Sequence, residues 1–351
     1  MLSPADQLQQ YYITNYTKCE KDESFLSSWQ GFAYPSHISS AVGIPLALFG
    51  GYCILYQTPK NMSSLKWSMI NSHFWYALLD ICLSIGLTPY LFFPILAVYP
   101  LGILSMIELP VVVQTYMAYT IAYIAAISMT TLFENRFNNM PLNRYCIRRN
   151  ITKVIYRGVR VIFALTLSLP SFYDLPNQEI AKLENLLIVP CPNEIYFHAP
   201  IFTWLRREST ATLFIVVISV VISEFSQSLF FIFACIYFIF FNLSANISTK
   251  TRQMQRRWLI NMILQVVIPA IPVITLAVCL GVVLAMNIYN QAFVNISMFV
   301  LSVHNTVGTI VMLIIHKPYR EFVKSLFSGG KLLTRTRISS TSAVAQLANV
   351  G

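Results

Sequence analysis

Charged side chains are scarce in this sequence: 11% of its 351 residues are Asp, Glu, Lys or Arg, against about 25% in a soluble domain. With 56% apolar residues and a mean hydropathy of +0.60, most of the chain must face lipid or other buried segments. The net charge of +10 is spread between apolar runs and lines no soluble face, which argues against nucleic acid and for a membrane orientation signal. Metal motifs are missing as well. There is no H-E-x-x-H, and His37, His73, His198, His304 and His316 form no close pair on one helix face, so no metal, cofactor or catalytic residue is expected. No internal repeat is evident, which weighs against a transporter built of two halves. Met1 to Trp29 has no basic segment followed by an apolar run and a cleavage site, so the first apolar span is expected to act as its own insertion signal.

What the chain has is long apolar runs. Leu109 to Phe133 holds no charge over 25 positions, roughly 38 Å of helix, enough to cross a bilayer with some tilt. Glu108 and Pro110 stand at one end of it; Glu134, Asn135, Arg136 and the basic run Arg144 to Arg160 stand at the other. Thr210 to Leu243 is interrupted only by Glu224 and has neither Gly nor Pro to make a hairpin, so it reads as one long helix. Trp258 to His316 has 59 residues without Asp, Glu, Lys or Arg, too long for one crossing; Asn287, Asn290 and Gln291 divide it, and Pro269 and Pro272 bend its first half.

These runs predict an all-α membrane protein, a seven-helix bundle with spans at about 36–56, 67–92, 107–133, 154–173, 210–241, 258–286 and 293–315. A short interfacial helix at about 319–327 and a flexible tail at 328–351 follow. Span four is long enough only when Arg157 and Arg160 reach the lower interface. Pro94, Pro100 and Gly102 predict a compact turn between spans two and three. With the amino terminus outside, 19 of the 24 basic residues fall in cytoplasmic segments, and ten of the 14 acids fall outside. That is the orientation charge selects. Asn15-Tyr16-Thr17 is a glycosylation sequon in the outside tail, residues 1–35. The 174–207 loop, with four prolines and Cys191, is a candidate lid.

Inside the membrane, Asp80 and Glu224 are expected to face the interior. For Asp80 the expected role is structural, joining spans two and seven through His304 or Asn305. Glu224 is either protonated and inert or part of a cavity wall. Tyr116, Tyr119 and Tyr123 recur at helical spacing on span three with Thr120 beside them; they are either ordinary packing or the wall of a ligand pocket, with Gln114 one turn further out as a polar contact. Such a pocket suits a small apolar or weakly polar ligand.

The strings Pro59-Lys60, Lys66-Trp67-Ser68, Asn71-Ser72-His73-Phe74-Trp75, Pro89-Tyr90-Leu91-Phe92-Phe93-Pro94 and Tyr99-Pro100-Leu101-Gly102 occur in order along the chain. Phe133-Glu134-Asn135-Arg136-Phe137-Asn138, Pro190-Cys191 and Lys317-Pro318-Tyr319-Arg320 continue the series. Together, from about Ser24 to Phe327, they resemble the serpentine receptor class H chemoreceptors of nematodes. The resemblance implies a rhodopsin-like G-protein-coupled receptor that detects environmental chemicals, at the plasma membrane of sensory-neuron cilia, with a small-molecule ligand and a heterotrimeric G protein as partners. Glu134 and Arg136 resemble the acidic-Arg pair that ends span three in such receptors, but positions i and i+2 point roughly 200° apart on a helix, so direct pairing is not expected. They are either ordinary interfacial charges or part of a G-protein-facing floor with Arg144, Arg148, Arg149, Arg252, Arg256 and Arg257. Many receptors of this type tie the long outer loop to the top of span three, yet Leu101 to Val113 has no cysteine; Cys19 and Cys191 are the two outside, and a bond between them is expected. A seven-span zinc hydrolase or a ligand-gated channel subunit is the alternative class. The hydrolase lacks ligand spacing here, and the channel lacks a ring of pore charges within one chain. No pattern sets an oligomeric state.

Overall fold

Span one begins where Ser28 offers a cap: its hydroxyl accepts from the Gly31 N–H at 3.0 Å, and the helix runs Trp29–Gln57, a full two turns earlier than hydropathy alone suggests. The structure is a computed structural model that describes residues 2–20, 22–59, 62–140, 143, 145–169, 172, 175–203, 207–240, 249–286 and 288–328. Span two is Ser63–Ile81, continued by one wider turn over Cys82–Gly86. Span three is Val111–Asn138, span four Asn150–Ser168, span five the unbroken Arg207–Phe240, span six Thr249–Ala285 and span seven Gln291–Ile315. The interfacial helix is Lys317–Phe327. Spans one, three, five, six and seven are each long and apolar enough to cross a membrane. Spans two and four carry Lys66 and Asp80, and Lys153, Arg157 and Arg160, within the helix.

Three further boundaries differ from the sequence reading for a physical reason. Span two stops at Gly86, not Phe92. Thr88 takes a left-handed backbone (φ 43°), Pro89 has no N–H to continue a helix, and the β-branched and aromatic residues beyond pair as strands. Strand β1 (Pro89–Phe92) lies antiparallel to β2 (Ala97–Pro100), with Tyr90 opposite Tyr99, and β3 (Phe202–Thr203) adds to β2 from the long outer loop. The compact turn is therefore a hairpin, and a three-stranded sheet sits at one end of the helical bundle. Span three starts after Pro110, because Glu108 is left-handed (φ 58°) and Ile103–Met106 forms a separate helical turn. Span six extends more than two turns below Trp258, so Arg252, Arg256 and Arg257, read as loop, stand on the helix itself.

Two large apolar cores result among the described residues. One, at the end that carries the basic loops, packs Ile54, Leu65, Phe133, Leu259, Met312 and Tyr319 among spans one, two, three, five, six, seven and the interfacial helix. The other, at the opposite end, packs Phe32, Tyr90, Phe92, Tyr196, Val294 and Met298 between the hairpin, the outer loop and the tops of spans one and seven. Span one can approach span seven closely because position 43 is glycine: a Cβ there would lie 2.6 Å from Thr306 Oγ1.

Candidate functional site

At the basic end, helix geometry separates Glu134 from Arg136. Glu134 is fully buried and holds Arg157 of span four through two parallel hydrogen bonds, Nε to Oε2 at 3.0 Å and Nη2 to Oε1 at 3.1 Å. Arg157 Nη2 also donates to Asn135 Oδ1 at 2.7 Å, and Asn135 in turn donates to Ser68 of span two. Arg136 points the other way. Its Nη2 donates to the Gln255 carbonyl of span six at 3.2 Å and its guanidinium lies 5.9 Å from the Trp258 ring, so spans three and six are latched here. Arg148 and Arg149 are exposed at the start of span four, Arg256 sits 4.1 Å over the Phe240 ring, and Arg257 is exposed. Arg144 lies outside the described residues.

Halfway along the bundle lie two further polar clusters. Asp80 spans the gap to span seven: its Oδ2 accepts the Thr306 N–H at 3.2 Å, and its Oδ1 is 3.3 Å from His304 Nδ1. Asn305 is buried next to it. On the other side, Arg160 of span four is paired with Glu224 of span five, and Glu224 Oε2 also accepts from Thr130 at 3.1 Å. Thr130 and Ser228 share a hydrogen bond of 2.8 Å, and Tyr156 donates to Gln227 at 2.5 Å. This corrects two expectations. Glu224, expected to be protonated and inert or part of a cavity wall, is instead the partner of an arginine, and Arg157 and Arg160 turn inward to carboxylates instead of out to the interface. Lys153, Arg157 and Arg160 recur at i, i+4 and i+7, one helix face, which was the available signal.

The expected ligand wall is divided. Gln114 is fully buried and committed locally, its amide donating to the Leu109 carbonyl at 2.7 Å and to Ser105 at 3.3 Å, so it secures the turn into span three and offers no ligand contact. Tyr116 packs edge-on to Phe172, ring centres 5.1 Å apart, with its hydroxyl 3.5 Å from the Leu165 carbonyl. Tyr119 and Tyr123 pack edge-on at 4.7 Å beside Ile127 and Val161. The hydroxyls of Tyr119, Thr120 and Tyr123 are buried and meet no hydrogen-bond partner among the described residues. A cavity of about 240 Å³ lies between spans two, three, six and seven, lined by Tyr76, Met129, Gln265, Pro269 and His304.

A cap covers the end opposite the basic loops. A tail helix, Pro4–Thr14, starts with a reciprocal Ser3–Asp6 capping box and packs on a lid helix, Gln178–Asn185. Cys19 is bonded to Cys191, with Cα atoms 5.7 Å apart across 172 residues of sequence. Tyr11 donates to the Pro190 carbonyl at 3.0 Å and Tyr12 to Glu194 at 2.7 Å. Asn295 of span seven donates to the carbonyls of Leu26 and Ser28, and Gln291 to that of Leu91. Burial, then Glu194 and Tyr12, push the Tyr16 hydroxyl up to about 12, so the cap's aromatic cluster stays uncharged. Asn15 is exposed at the end of the tail helix.

A family model described as serpentine type 7TM GPCR chemoreceptor Srh matches residues 27–329. The chain belongs to this family. It is also 31% identical over 336 residues to serpentine receptor class H-72 of Caenorhabditis elegans, covering 95% of this chain and 97% of that one. Srh chains are therefore the frame for the site. This Srh chain is a membrane-spanning seven-helix protein of a chemoreceptor family, and that family is one of receptors, not enzymes.

Proposed function

We propose that this Srh chain is a chemosensory receptor that binds a small environmental chemical within its bundle and activates a heterotrimeric G protein. The single observation that carries the coupling half is the buried Arg136, which bridges span three to the Gln255 carbonyl of span six. A swing of span six about the Pro269 and Pro272 region would break that bridge and open a floor lined by Arg136, Arg148, Arg149, Arg252, Arg256 and Arg257. Such a basic floor suits an acidic or helical element of a G protein. The ligand half rests on the unpaired hydroxyls of Tyr119, Thr120 and Tyr123 and on the interior cavity beside Pro269, since a ligand that favours one packing of span six biases the floor. In this reading the cap is extracellular, the tail after Phe327 is cytoplasmic, and the protein works at the ciliary plasma membrane of sensory neurons.

The test is nucleotide exchange on reconstituted G protein, driven by an agonist found by screening volatile and water-soluble chemicals. The reading expects Arg136→Ala to change agonist-driven exchange at equal surface expression, and the double Tyr119→Phe/Tyr123→Phe to move the dose response. Agonist that never promotes exchange on any G protein contradicts the coupling half.

A further inference from the structure

One large cavity among the described residues is not in the bundle interior. A cleft of about 490 Å³ lies between spans one and two with span seven as its floor, and its mouth faces outward past Leu48, Tyr56 and Phe74, which are 72%, 70% and 56% exposed. It follows span one from Ser40 to Tyr56, roughly 24 Å at the helical rise. That volume drawn out over that length makes an elongated cleft, which suits an extended hydrocarbon chain. Gly51 keeps the wall thin: a Cβ there would come into ordinary van der Waals contact with Ile70 at 3.6 Å and His73 at 3.8 Å, so a small side chain fits and a larger one must enter the cleft.

The inner end of the cleft is polar and rich in acceptors. Ser40 donates to the Ser36 carbonyl or to Ser84 Oγ (2.5 Å), and Ser84 donates to the Asp80 carbonyl, so both hydroxyl protons are spent while oxygen lone pairs remain. Asp80 lines the cleft at 8% exposure. Its Oδ1 lies 3.3 Å from His304 Nδ1, a nitrogen shared with the Leu301 carbonyl at 2.8 Å, so no donor is dedicated to it. A carboxylate oxygen has lone pairs for a further donor. This end lies about 16 Å below the start of span one, too deep for a large charged head group. This end of the bundle is roofed by the cap, so the open side of the cleft is the side that faces lipid.

We propose that this cleft binds a single-chain lipophile whose small head, a hydroxyl or a primary ammonium, donates to Asp80, Ser40 and Ser84, and that the ligand arrives laterally from the bilayer. The site is separate from the Tyr119–Tyr123 wall, and the proposal does not rest on the receptor reading, since binding is read directly and without a G protein. The experiment uses the full chain in lipid nanodiscs with a diazirine-bearing hexadecanol and peptide mapping after photolysis. Saturable labelling of span one between Ala47 and Tyr56 and of span two near Phe74 is expected, competed by excess hexadecanol or hexadecylamine but not by hexadecane; whichever of the two competes identifies the head. Ser40→Ala with Ser84→Ala should weaken competition by up to about tenfold. Gly51→Leu, which fills the cleft, should abolish saturable labelling. Ala47→Leu serves in its place should Gly51→Leu lose the wild-type thermal transition. Labelling spread evenly over all outward-facing helices, equal competition by hexadecane, or unchanged labelling in a folded Gly51→Leu or Ala47→Leu protein overturns the proposal.

Discussion

Arg160 and Glu224 are both largely buried, and each compensates the charge of the other. Removing one partner leaves an uncompensated charge and costs about 3–5 kcal/mol, whereas replacing both with apolar residues of similar volume is close to neutral. Arg160→Ala is therefore expected to lower the thermal midpoint of the purified protein sharply, and Arg160→Met with Glu224→Leu to recover most of it; a double variant no better than the single contradicts this account of the pair. Asp80 behaves differently, since it accepts a backbone N–H from span seven. Asp80→Ala should loosen spans two and seven, read as faster hydrogen exchange around Thr306, while Asp80→Asn, which keeps an acceptor, should show less of it.

At the scale of the element, the cap hangs on one covalent link across 172 residues and on a few tyrosine hydrogen bonds. Cys191→Ser should raise hydrogen exchange over the tail helix Pro4–Thr14 far more than over span three, and exchange that stays at the wild-type level in the tail helix would show that the link does not hold it. The elements were legible in the sequence where one signal was strong. The 34-residue run from Thr210, without Gly or Pro, reads directly as one helix, and the prolines of span six as bends in another. The top of span two did not. Apolar periodicity cannot distinguish a helix end from a buried strand, and Tyr90, Leu91 and Phe92 satisfy both until the pairing with Ala97–Pro100 decides. Side-chain partners between spans were the least legible: nothing local to Glu224 names Arg160, 64 positions away, and only the bundle's packing brings them together. Gln114 likewise reads as a ligand contact until its amide is seen to close the Leu109 turn.

For the whole molecule, the charge count, the apolar spans and the Srh family agree on a membrane bundle whose two ends differ. One end carries Arg136, Arg148, Arg149 and the lower arginines of span six; the other carries the sheet, the disulfide and the tail helix. The proposed signalling needs the first end in the cytoplasm, where a G protein can meet it, and the cap outside, where Cys19 and Cys191 stay oxidised. An epitope tag fused before Met1, probed with antibody on living cells before and after permeabilisation, tests this directly. Staining of intact cells, with a tag after the interfacial helix stained only once cells are opened, is the expected result; an amino-terminal tag reached only after permeabilisation would contradict the account.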